Sequence, residues 1–206
     1  TLVSSSAASD VYKRQVPRMM TSQAGEMIKR WVEDKGIHVR TSAGVERIDR
    51  GASDGELKAT LSTGESLTCD VMIVSAGVAP NIGFLEGTPL HFAKGILVND
   101  AMQTSDPAIY AAGDVAEAPD LFTGAHLVSA IQPNAVDQAQ VAAINMAGGE
   151  SRLKGVLAIN VLDTLGLIST SFGQWMGIPE SDGGSHAELI DQAAYHYLSL
   201  QFKHDI

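Results

Sequence analysis

One stretch constrains the fold of this chain more than any other: Thr104-Ser105-Asp106-Pro107-Ala108-Ile109-Tyr110-Ala111-Ala112-Gly113-Asp114-Val115. Its apolar run stops abruptly at Gly-Asp. Ile109 to Ala112 are small or apolar and predict a strand covered on both faces, as strands of helix-flanked parallel sheets are. Gly113 then permits a turn that a Cβ would obstruct, and Asp114 projects past the strand's carboxyl end, where ligands bind in open α/β sheets. An Asp that merely caps its own loop is the alternative reading of the same two residues.

Val71-Met72-Ile73-Val74 is a second β-branched run, predicted as a buried strand that exits at Ser75-Ala76-Gly77-Val78-Ala79-Pro80-Asn81. Gly95-Ile96-Leu97-Val98-Asn99 predicts a further strand. From Ala130 to Gly149 the order of Pro133 early, Ala and Gln through the body and Gly at the end signals the start and stop of a helix. Upstream, Ala24, Met27, Ile28, Trp31 and Val32 recur at helical spacing until Lys35-Gly36. Ile37-His38-Val39, Val45 to Ile48, Leu57 to Leu61 and Ser66 to Thr68 predict short strands broken by Asp-Gly and Thr-Gly turns. After Gly149, apolar runs bounded by glycine over Asn160 to Gly173 suggest a strand-rich segment. Tyr195 to Ile206 alternates like a half-buried strand whose hairpin partner is missing. Residues 1–15 show neither an apolar signal core nor a helix or strand period and read as a non-native or disordered leader, with a turn at Val16-Pro17-Arg18-Met19 after it.

The first stretch resembles the second flavin-binding motif, T-x-x-P-x-I-Y-A-x-G-D, of the FAD-dependent pyridine nucleotide-disulfide oxidoreductases. Ser75 to Asn81 is similar to the A-T-G-x-x-P-N segment that returns the chain from the nicotinamide domain to the flavin domain, with Ser75 and Ala76 in place of Ala and Thr. Gly95 to Asn99 matches G-I-x-V-D/N. The register resembles the branch of rubredoxin reductases, NADH oxidases and nitrite reductase large subunits; no His-Pro pair of the disulfide reductases occurs. The resemblance implies an α/β chain with a partial two-dinucleotide-binding-domain (FAD/NAD(P)) fold and the start of a strand-rich C-terminal domain. Residues 16–80 would be a remnant of the NAD(P)-binding domain, 81–150 the second half of the FAD-binding domain, and 151–206 the beginning of the last domain. It also implies FAD and NAD(P)H as cofactors, with Gly113, Asp114, Val115, Pro133, Asn134 and Gly77 as cofactor-binding residues. The helix would aim its amino end at the flavin's pyrimidine side, where unpaired N–H groups and the dipole favour negative charge.

No acid, base or nucleophile need be catalytic, because the cofactors carry the chemistry. The electron acceptor would be a small molecule or a small redox protein. No G-x-G-x-x-G occurs, so the chain reads as a fragment lacking the N-terminal FAD motif that binds flavin feebly or not at all alone. A nucleotide-binding or structural module that does not turn over remains the alternative.

Composition narrows the partners. With 14 basic and 24 acidic residues the formal net charge is −10, which opposes binding to phosphate backbones. No apolar run approaches the ~20 residues of a membrane helix. Cys69 is the only cysteine, so no intrachain disulfide forms, and a reduced thiol suits the cytoplasm. The histidines at 38, 91, 126, 186, 196 and 204 lack metal-ligand spacing. His126 reads as a surface-loop residue.

Overall fold

The computed structural model describes residue 16 and residues 19–203; the leader, Pro17 and Arg18 of the expected turn, and His204 to Ile206 lie outside the described residues. The elements run α1 (Ser22–Asp34), β1 (Val45–Arg50), β2 (Leu57–Leu61), β3 (Ser66–Cys69), β4 (Ile96–Leu97), β5 (Ala116–Pro119) and β6 (His126–Val128). They continue with α2 (Gln132–Met146), β7 (Ile159–Thr164), β8 (Leu167–Phe172), β9 (Gly184–Asp191) and β10 (His196–Lys203). The described residues divide into two compact units, those up to residue 77 with 160–171 and 175–203 in one and 78–159 with 172–174 in the other.

In the first unit, Thr21 caps α1 by accepting the Ala24 N–H at 3.3 Å, satisfying one of the free donors of the first turn. Gly25, Met27, Ile28 and Val32 form its buried face, the stripe that the 3.6-residue period predicts. The helix ends where expected, with Gly36 at φ 82°, a conformation glycine adopts without steric cost. β1, β2 and β3 form an antiparallel meander in that order, and Ala59 and Leu61 of β2 are buried. β7 and β8 form a hairpin, and so do β9 and β10.

The structure corrects several sequence expectations. Tyr195 to Lys203 does have a hairpin partner: β9 precedes it and pairs antiparallel along its whole length, from His196 with Asp191 to Lys203 with Gly184. The turn is made by the Asp191 carboxylate, which accepts the Ala193 and Ala194 N–H groups at 3.0 Å. Val71 to Val74 is not a strand, and Val71, Ile73 and Val74 are 72%, 83% and 78% exposed. A strand is stabilised by its neighbours across the ladder, and among the described residues none pairs with this run. Ile37 to Val39 is irregular for the same reason, the Ile37 N–H instead closing α1 on the Val32 carbonyl at 3.1 Å.

In the second unit, β4 pairs parallel with β5, and β5 pairs antiparallel with β6. Ala116 and Ala118 of β5 are fully buried in a core shared with Leu85, Ile96, Val98, Met102, Val141 and Val156. Here too the sequence misplaced a strand. Ile109 to Ala112 is not one: only Tyr110 makes a bridge, to Gln103, and Ile109 is exposed. The hydrogen bonds of the run are spent locally, Thr104 N–H on the Ile109 carbonyl at 2.9 Å and Ala111 N–H on the Met102 carbonyl at 3.1 Å. The buried strand follows Gly-Asp rather than preceding it. Gly155 is required by close approach as well as by its φ of 140°, since a Cβ there would lie 2.5 Å from the Leu121 Cα.

Candidate functional site

Gly113 sits at φ 81° and opens a single 3-10 turn, Gly113–Val115, between Ala112 and β5. Its N–H donates to the Gln138 Oε1 of α2 at 2.7 Å. A Cβ on Gly113 would come only into ordinary contact with the Ala135 Cβ, at 3.7 Å, so its conformation rather than crowding calls for glycine. Asp114 follows, exposed, and its carboxylate makes no hydrogen bond or ion pair with any described residue. Val115 is half-buried against the core. The loop-capping alternative for Asp114 therefore finds no bond to support it.

The start of α2 packs beside this turn. No side chain caps it, Ile131 standing at the N-cap. Of the first-turn donors, Pro133 has none and the Ala135 N–H turns back to the Ile131 carbonyl at 3.1 Å, which leaves the Gln132 and Asn134 N–H groups without an acceptor among the described residues. Gln132 and Pro133 are exposed. Free donors and the positive end of the helix dipole thus lie next to an unpaired carboxylate.

The Asn134 side chain is not offered outward. It is 6% exposed, and its Nδ2 donates to the Ser129 Oγ at 2.6 Å and the Leu157 carbonyl at 2.8 Å, while its Oδ1 accepts the Leu157 N–H at 3.3 Å. Its main-chain N–H, by contrast, has no acceptor among the described residues. Gly113, Asp114, Val115, Pro133 and Asn134 are brought together in the second unit; Gly77 belongs to the first unit, exposed, at φ 92°. His126 is not in a loop but begins β6, its Nε2 3.0 Å from the Val98 carbonyl oxygen.

Sequence reasoning missed Gln138 and Asn145. Asn145 Nδ2 donates to the carbonyls of Ala101 at 3.0 Å and Ser151 at 2.8 Å, and its Oδ1 accepts the Ser151 N–H at 2.9 Å. A signal was present: Asn134, Gln138, Val141 and Asn145 recur at spacings of four, three and four, and so share one helix face. An amide-bearing stripe reads as the solvent face of a helix, yet here it points inward while Val136, Ile144 and Met146 are exposed.

The residues fit a flavin. A free carboxylate suits ribityl hydroxyl groups, and two free N–H groups at a helix start suit the electron-rich edge of a reduced ring. Among the described residues no group of three His, Cys, Asp or Glu could hold a metal ion, and no helix is long and apolar enough to cross a membrane.

Comparison with known proteins gives the family. The subunit epsilon of the NADH-dependent phenylglyoxylate dehydrogenase of Aromatoleum evansii is 34% identical over 184 residues, 88% of this chain and 42% of that protein. The rubredoxin-NAD(+) reductase of Pseudomonas putida is 32% identical over 135 residues, 66% of this chain and 35% of that one. The crystal structure of the covalent putidaredoxin reductase–putidaredoxin complex superposes with a TM-score of 0.80 at 21% identity, covering 99% of this chain and 46% of that one, a likeness of fold. The chain thus spans less than half the length of these relatives. Residues 6–143 match the family described as pyridine nucleotide-disulphide oxidoreductase, and the chain belongs to that family.

Proposed function

We propose that this chain works in an FAD-dependent NAD(P)H oxidoreductase that delivers electrons to a small redox protein or small-molecule acceptor. The observation that carries the reading is the exposed, unpaired Asp114 carboxylate beyond the left-handed Gly113 turn, next to the uncapped start of α2. When bound, FAD supplies the redox chemistry, taking hydride from a reduced nicotinamide and passing electrons on. Asp114 accepts hydrogen bonds from the cofactor's ribityl or phosphate-side groups, and Val115 contributes a backbone contact. The Gln132 and Asn134 N–H groups, on either side of Pro133 in a first turn that no side chain caps, stabilise the negative charge of the reduced ring. Gly77, on the exit from Val71 to Val74, is a further backbone contact. No side chain of this chain need exchange a proton.

A small redox protein as acceptor is supported by the similarity to rubredoxin-NAD(+) reductase. A cytoplasmic location is supported by the single free Cys69. Because no G-x-G-x-x-G loop occurs among the 206 residues, we expect FAD to bind the chain alone only feebly.

The test is NAD(P)H-driven dye reduction with added FAD, by the chain alone and by the chain joined to the flanking sequence of the Pseudomonas putida reductase. We expect activity in the joined protein that Asp114→Ala removes. Dye reduction by neither protein refutes the enzyme reading and leaves the non-catalytic nucleotide-binding module; activity indifferent to Asp114→Ala refutes the site.

A further inference from the structure

Gln138 is 1% exposed, and only one end of its carboxamide is used. Oε1 accepts the Gly113 N–H at 2.7 Å, while the buried Nε2 has no partner among the described residues. The other two amides of the inward stripe of α2 behave differently, Asn134 and Asn145 each using both nitrogen and oxygen. A buried donor left without an acceptor is costly, and an apolar side chain of similar volume would fill the space without that cost. Packing therefore does not account for a glutamine here. What an apolar residue could not supply is the acceptor for Gly113, whose peptide leads directly to Asp114.

We infer that Gln138 is a positioning residue: its carboxamide oxygen holds the Gly113 peptide against α2, so that the Asp114 carboxylate and the free N–H groups at the helix start form one fixed acceptor–donor arrangement. The role at a flavin rests on the function proposed above; the clamp itself does not. With φ at 81°, Gly113 has the backbone freedom of glycine and no side chain of its own to anchor it. The Asp114 side chain makes no hydrogen bond or ion pair with any described residue. Among the described residues, the bond to Gln138 is the polar link between the Gly113 N–H and α2.

Amide hydrogen exchange by NMR on the 206-residue chain tests this, with Gln138→Met removing the acceptor at similar volume and Gln138→Glu keeping it. In Gln138→Met the Gly113 amide should exchange about tenfold faster, the equivalent of one ordinary net hydrogen bond, while Val141 and Ala142, one turn further along α2, keep their rates. Gln138→Glu should restore protection at Gly113. Unchanged exchange at Gly113 in Gln138→Met overturns the inference, and so does uniform acceleration that includes Val141 and Ala142, which would make Gln138 an ordinary core residue. FAD titration separates the clamp from its use. Weaker uptake by Gln138→Met with recovery in Gln138→Glu supports the positioning role, and equal uptake by all three proteins overturns it. No uptake even by the wild type overturns the flavin reading, while the exchange rates still decide the clamp.

Discussion

Replacing Asn134 by alanine separates two roles that its position at the head of α2 could imply. Its side chain makes three hydrogen bonds inside the second unit, two to the Leu157 main chain and one to the Ser129 hydroxyl, at 2.6 to 3.3 Å. An ordinary net hydrogen bond contributes about 1 kcal/mol. Ser129 is buried and Leu157 only half-buried, so water can reach part of what the amide leaves behind. Asn134→Ala should therefore cost ~2–3 kcal/mol, short of the larger penalty for three fully stranded groups. With a urea slope of ~1 kcal/mol/M for a small unit, the unfolding midpoint should fall by roughly 2 M. The exchange rates of the Val141 and Ala142 amides report it, since both are core residues of the same unit. Trp31 and Trp175 lie in the other unit, so tryptophan fluorescence serves as the internal control. A midpoint shift below ~0.5 M would refute the reasoning. Any loss of FAD binding in this variant should follow the folded fraction, because the substitution leaves the main-chain N–H of residue 134 in place.

Further expectations concern the backbone and the ionisable pairs. Gly155→Ala should destabilise the second unit by more than 1 kcal/mol (about the cost of overpacking), read as a lower urea midpoint, because the new Cβ would meet the Leu121 main chain and not a side chain able to move aside. The Tyr195 hydroxyl donates to Asp34, and that bond, aided by burial and opposed by Arg30, raises the phenol above its usual value. A raised pKa means that this contribution is whole below about pH 10 and is lost as pH rises through the folded-state value. Tyr195→Phe should flatten the fall in stability as pH rises above about 10, and identical slopes in both proteins would count against the pair. The hydrogen bonds from Arg40, with its charge, hold Glu65 below the usual carboxylate range. That contribution is present above the ordinary carboxylate pKa and lost as pH falls through the depressed value. Arg40→Ala should remove this acid-side loss in urea titrations, and an unchanged acid limb would contradict it.

The helices and the β1–β2–β3 meander were legible in the sequence because their signals are local. Apolar spacing in α1 and glycines with positive φ at Gly36, Gly55 and Gly64 need no distant partner to be read. Val71 to Val74 and Ile109 to Ala112 have the composition of buried strands, but composition states an appetite for neighbours and not their presence. β9 was missed because Ser185, His186 and Glu188 blur its alternation, and its pairing is fixed by the Asp191 turn and by β10. At the site, Gly113 and Asp114 were readable as a motif, whereas the inward amides of α2 were not. Polar residues on a helix mark solvent on average, and only tertiary contact shows that these three bind main chain.

That amide stripe also divides the labour of specification within the second unit. Asn134, Gln138 and Asn145 grip Leu157, Gly113, Ala101 and Ser151 by their peptide groups. A grip on peptide groups is indifferent to what side chain the gripped residue carries. The routes of four connecting segments are thereby encoded in three positions of one helix, and residues such as Ala101 and Ser151 are left free to drift in identity while their course stays set.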